Sequence, residues 1–295
     1  MADLRLVRKS RGVILPGLAF DLRARRLGAH IRHGLLLALC CVLLACTGGD
    51  PAPGAGKVLF VGNSLTYVGN VPAVYSALSS ANGRESPSDM IVRGGATLAQ
   101  RVEDGSVARA LETGAYRTLV IQERGGDLVC GFGPESCARS KEAVTSLARL
   151  GREHQVRVLL LGTYQPDASA SRRLVEGESM AAREAGIGYI EVSEKLQRLR
   201  TAAPDLSWFA ADDFHPGKHL ALLNALLVYQ AVHDTLPAPG QLTVVAPIYE
   251  STSGLTQAPR ASDAPPPLST TPRRVHYEAE AVDRLLASLE ASAED

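Results

Sequence analysis

The chain has 295 residues, enough for one domain with a large core. Hydrophobic residues make up 45% and charged residues 21%, the balance of a soluble globular protein. Lys+Arg and Asp+Glu number 31 each, and no basic stripe is interleaved with aromatics, so nucleic-acid binding has no electrostatic support.

The zero net charge conceals an asymmetry. Residues 1–45 hold eight of the basic groups and two of the acidic ones, which leaves the rest at about −6. The basic residues, Arg5 to Arg32, precede an uncharged run, GLLLALCCVLLAC at 34–46. That run is too short to span a bilayer comfortably and ends in small residues, the anatomy of a signal peptide. Its last four residues, Leu43-Leu44-Ala45-Cys46, resemble a bacterial lipobox, in which Cys46 is lipidated and becomes the mature N-terminus; the alternative is an ordinary secretory signal. The expectation is a signal peptide over 1–45, a lipid anchor at Cys46 that holds the chain on a membrane of the cell envelope, and a flexible tether at 46–56.

From Lys57 onward short aliphatic runs alternate with helical stretches. KVLFVG (57–62) reads as a buried parallel strand, VPAVYSALSSANG (71–83) as a helix with a glycine stop, and SDMIVRGG (88–95) as a second strand. A helix is expected over 97–113 and a third strand at 117–122. The helix at 140–155 precedes a fourth strand at 156–164. A helix at 171–186, a fifth strand at 186–193 and a long helix at 218–233 complete the series. Strand and helix alternating in this way imply a three-layer α/β/α sandwich on a parallel sheet. Residues 237–273, rich in proline, read as an extended or mobile surface segment, and 275–292 as a closing helix packed back on the same domain.

Of five cysteines, Cys40 and Cys41 leave with the signal and Cys46 takes the lipid. Cys130 and Cys137 remain, an even pair in an oxidising compartment, which favours a disulfide over free thiols or a metal site without nearby histidine.

Catalytic groups of an open parallel sheet collect at the carboxyl ends of its strands. The first strand delivers Gly62-Asn63-Ser64-Leu65-Thr66 there. Alone, Ser64 reads as a helix cap. Asp212-Asp213-Phe214-His215-Pro216, ahead of the last long helix, changes that reading. A carboxylate three residues before an imidazole on a tight turn can hold the ring and leave its other nitrogen free to take a hydroxyl proton. His219 is i+4 from His215, but Pro216-Gly217 breaks the helical geometry zinc would need, and no metal spacing or phosphate loop is present.

FVGNSLT (60–66) and DDFHP (212–216) resemble the first and last blocks of the GDSL/SGNH hydrolase family, over roughly Lys57 to His233. The resemblance implies the α/β sandwich with flavodoxin-like topology, Ser64 as nucleophile, Asp212 as acid and His215 as base. It also implies an oxyanion-hole glycine in RGGAT, either Gly94 or Gly95, with Gly95 preferred. The third block departs from the family: Val120-Ile121-Gln122-Glu123-Arg124 stands where Gly-x-Asn-Asp is usual. Gln122 carries an amide able to replace the missing Asn. Arg124 is a surface residue or a ligand for an anionic substrate group. The activity implied is serine ester hydrolysis without cofactor or metal, on a small-molecule or glycan ester, with small acyl groups on carbohydrate favoured by an envelope location. The rival readings are an acyltransferase or lipase-type carboxylesterase on the same triad, and a non-catalytic surface binding protein on a degenerate scaffold.

Overall fold

The computed structural model describes residues 56–165, 167–250, 255, 260–262 and 271–291. The signal segment, Cys46 and the tether up to 55 lie outside the described residues.

Five parallel strands form the sheet: β1 (Lys57–Gly62), β2 (Ser88–Val92), β3 (Tyr116–Ile121), β4 (Arg157–Leu161) and β5 (Gly188–Ile190). They lie in the order β5-β4-β3-β1-β2, the doubly wound arrangement whose direction reverses between β1 and β3. A two-residue antiparallel strand appears at the β2 edge, Arg260–Ala261, numbered β7 after β6 (Leu242–Ala246). The strands are apolar on both faces because each face is covered. Val58, Phe60, Met90, Val92, Val120 and Leu159 enter one cluster, while their alternates Leu59, Val61, Ile91, Leu119, Ile121 and Leu160 enter another. Each such side chain contributes about 1.5–3 kcal/mol by leaving water.

The helices are α1 (Ser64–Tyr67), α2 (Val71–Ala81), α3 (Leu98–Glu103), α4 (Ser106–Glu112), α5 (Pro134–Glu153), α6 (Ala168–Ala185), α7 (Ser193–Ala202), α8 (Lys218–His233) and α9 (Ala279–Ala291). A single turn of 3-10 helix spans Asp127–Val129. Helices α3 to α6 cover one face of the sheet; α2, α7, α8 and α9 cover the other. The apolar girth of α8 follows from its place in that second layer, where it is buried on almost every side.

Three expectations are corrected. The stretch 97–113 is two helices, because Gly105 adopts the left-handed conformation (φ 65°) and separates α3 from α4. The closing helix begins at Ala279, since Arg273–Tyr277 is a strand, β8, paired antiparallel with β6. β6 itself lies in the segment read as extended or mobile, and most of 251–270 is outside the described residues. Helix α7 was not anticipated, and α5 starts six residues before its expected boundary. Among the described residues, no helix is long and apolar enough to cross a membrane.

Candidate active site

β1 ends at Gly62, and the chain turns at once into α1. Asn63 is the cap: its Oδ1 accepts from Leu65 N (3.0 Å), and its Nδ2 donates to Ala96 O (3.2 Å). One buried side chain thus fixes the turn that carries Ser64 and ties it to the loop after β2. Gly62 is required by a close approach, because a Cβ there would run into Thr66 Oγ1. Ser64 itself is half-buried, and neither its hydroxyl nor its backbone N–H has a hydrogen-bond partner among the described residues.

The loop after β2 is a turn closed by Ala96 N donating to Arg93 O (3.1 Å). Gly95 sits in it at φ +67°, exposed, with its N–H unbonded. A glycine accepts this conformation without strain. Ser64 N–H and Gly95 N–H are therefore two backbone donors free to meet an anion.

Gln122, the expected third donor, is tied into the sheet. It is buried at the end of β3, where its Oε1 accepts from Thr66 Oγ1 (2.8 Å) and its Nε2 donates to Gly162 O (3.1 Å). The amide stitches the ends of β1, β3 and β4 together with its oxygen and one of its two N–H groups. Two backbone donors are nevertheless a working set in the serine-protease template.

His215, the expected base, lies in a compact loop ahead of α8. His215 Nδ1 lies 2.6 Å from Asp212 Oδ2, and Asp212 Oδ1 accepts from Phe214 N (3.1 Å) and His215 N (2.9 Å). Partial burial pushes the Asp212 carboxyl up, but the donors from His215 and Phe214 outweigh it and hold it at about 2. The carboxylate is thus ionised and holds the ring by Nδ1, and Nε2 has no hydrogen-bond partner among the described residues. Asp213 adopts φ 57° to make the turn, and Tyr164, at the end of β4, donates to Phe214 O (2.9 Å). The loop sits against the segment that follows Ser64: Gly69, five residues beyond it, packs on Ala221 and on the Pro216 carbonyl.

Glu123, next to Gln122, is a site residue the sequence did not reveal. Its carboxyl is buried, and it accepts from Leu98 N (3.2 Å to each oxygen) and Arg124 N (2.9 Å). Burial pushes its pKa up to about 7. Glu123 anchors the first turn of α3, and through it the Gly95 loop, to the end of β3. Glu178 does the same for β4, accepting from Thr163 N, Thr163 Oγ1 and Tyr189 Oη; burial raises it also to about 7. An acid at a strand end was the only signal available for Glu123.

Arg124 is held by Asp127, which is fully buried, through two bonds of 2.9 Å, and it lies 4.6 Å over the Phe132 ring. Cys130 and Cys137 are joined by a disulfide that pins the Phe132 loop to the first turn of α5. His219 Nδ1 accepts from Ser207 N (2.9 Å), and His233 lies beside the Tyr75 hydroxyl; both are structural. Among the described residues no cluster of acids, cysteines and histidines could hold a metal ion.

Two clefts flank the motifs. An apolar one of about 530 Å³ lies behind Asp212 and Pro216 and touches neither Ser64 nor His215. A polar one of about 410 Å³ opens at Gly95 and runs between α3 and α5.

No protein-family model and no curated protein matches the chain. Solved structures do. A candidate SGNH hydrolase from Slackia heliotrinireducens is 24% identical over 60% of this chain and 98% of its own, with a TM-score of 0.50. A candidate GDSL-like lipase from Parabacteroides merdae is 14% identical, with 62% and 98% covered and a TM-score of 0.49. A variant of an acetyl-xylooligosaccharide esterase from Geobacillus is 14% identical, with 61% and 94% covered and a TM-score of 0.46. The first likeness gives the fold: this chain has the α/β sandwich of the SGNH hydrolases.

Proposed function

We propose that this chain is a serine ester hydrolase of the GDSL/SGNH type, with Ser64 as nucleophile, His215 as general base and Asp212 as its orienting acid. The observation that carries the reading is the Asp212–His215 bond of 2.6 Å, in a loop packed on the segment that follows a Ser64 whose amide and hydroxyl are both free.

In the proposed reaction His215 Nε2 takes the Ser64 proton as Oγ attacks the ester carbonyl carbon. Ser64 N–H and Gly95 N–H stabilise the oxyanion. Collapse breaks the bond to the alcohol, which leaves with the proton from His215. Water then attacks the acyl-enzyme with His215 again as base, and Ser64 departs carrying its proton back. The substrate class put forward is a small acyl ester of a carbohydrate, and the place of action is the outside of the cell, by way of the signal segment and lipidation at Cys46.

Incubation with a fluorophosphonate probe tests the catalytic reading. Labelling of the wild type that disappears in Ser64→Ala supports it. Absence of labelling, or equal labelling of both, refutes it and leaves the non-catalytic binding protein. Mass spectrometry of the N-terminus of the mature protein tests the anchor separately: a diacylated Cys46 supports it, and an unmodified terminus refutes it.

A further inference from the structure

We infer that the polar cleft opening at Gly95 is the subsite for the alcohol half of the substrate, and that it takes a neutral, polyhydroxylated ring: a saccharide laid against Phe132 and the outer edge of Arg124.

Position comes first. An ester whose carbonyl oxygen lies between Ser64 N–H and Gly95 N–H has one of its halves directed past the Gly95 loop, into a cleft of about 410 Å³ walled by α3 and the start of α5. The walls are polar. Gln100 and Thr97 line one side, and Arg124, Glu135 and Ser136 line the other. An acyl chain gains nothing there, whereas hydroxyl groups find donors and acceptors.

The charges then select a neutral ligand. Arg124 is cancelled by buried Asp127, and Arg139 by Glu103 at 2.5 Å. Glu135 adds a carboxylate to the same lining. The cleft therefore has strong directional donors without a net field for an anion. Asp127 takes the Nε–H and one Nη2 hydrogen of Arg124, and the remaining three N–H groups have no acceptor among the described residues. Such a fixed fork suits adjacent hydroxyls of a ring.

The platform is Phe132. It is 57% exposed, unusual for a large apolar side chain, and lines both this cleft and its neighbour. One of its faces is backed by the Arg124 guanidinium, and its loop is closed by the disulfide from Cys130 to Cys137. A ring held in this way offers stacking area at little ordering cost, which is what the apolar face of a sugar requires.

The chemistry of this inference rests on the esterase reading, so two readouts keep them apart. In the first, kcat/KM is measured for methyl 6-O-acetyl-glucoside, whose ring hydroxyls are otherwise free, and for para-nitrophenyl acetate with wild type, Phe132→Ala, Phe132→Trp and Arg124→Ala. The ratio of glycoside to aryl ester is expected to fall about tenfold or more in Phe132→Ala and Arg124→Ala, and to be restored in Phe132→Trp. An unchanged ratio overturns the subsite while leaving the esterase intact. A hemisuccinate aryl ester preferred over the acetate, with the preference lost in Arg124→Ala, overturns the neutral ligand in favour of an anion. In the second, saturation-transfer NMR follows methyl glucoside on Ser64→Ala, which needs no turnover. Transfer lost on adding Phe132→Ala supports the subsite even if no ester is hydrolysed; no transfer, or transfer indifferent to Phe132, overturns it.

Discussion

Glu123 gives the stability of this protein an unusual dependence on pH. Its carboxyl is buried and its pKa is pushed from 4.5 to about 7, with burial as the main cause and Asp127 adding to it against the donors from Arg124 N and Leu98 N. Below pH 4.5 the group is protonated in both folded and unfolded chains, and its full contribution is present. As pH rises the unfolded chain loses the proton first, so stability falls until the folded group also ionises near 7. At 1.36 kcal/mol per pKa unit the loss is about 3 kcal/mol. Glu178 acts in the same range and sense, while His219 and His233, both lowered by burial, act in the opposite sense. The comparison of wild type with Glu123→Gln cancels these common contributions. Urea unfolding at pH 4.5 and 7.5 is expected to show the variant gaining on the wild type by about 3 kcal/mol between the two. A difference that stays constant across that interval would refute the assignment of the raised pKa to Glu123.

Asp212→Asn is expected to lower kcat/KM by roughly three to four orders of magnitude, because the amide holds the wrong imidazole tautomer; retention of a tenth of the activity would mean that another group orients His215. Since the Asp212 carboxyl is held at about 2, no inflection from it should appear in the rate profile above pH 4. Gln122→Ala removes partners from Thr66 and Gly162 in the core, so it should lower stability by about 1–3 kcal/mol before it lowers the chemical step. A thousandfold loss of kcat with unchanged unfolding would return Gln122 to the oxyanion hole. Replacing both Cys130 and Cys137 by serine opens a short loop and is expected to cost about 2–3 kcal/mol; thermal melting with and without reductant checks this.

Local signals determined a large part of the fold. The aliphatic runs at 57–62, 116–121 and 157–161, separated by amphipathic stretches, were sufficient for a parallel sheet between helical layers, because burial on both faces leaves a mark in each strand by itself. Ser64 and the pair Asp212–His215 were legible for a similar reason: a strand-to-helix turn and a three-residue spacing are short-range geometry, and the hydrogen bond between Asp212 and His215 closes within its own loop. What depended on partners distant in sequence was not legible. Val275-His276-Tyr277 opens the stretch with helical spacing and becomes part of the strand Arg273–Tyr277 because β6, some thirty residues earlier, offers it a paired edge. Gln122 has the chemistry of an oxyanion donor, and Thr66 and Gly162 take its oxygen and one of its two N–H groups. Arg124 has the charge of an anion ligand and is neutralised by the buried Asp127. The sequence by itself determined which residues are candidates for the chemistry and in which turns they stand. The tertiary structure decided which of their hydrogen-bonding groups are already engaged, because a group buried in the fold is assigned by the neighbours that packing brings to it and not by its own identity.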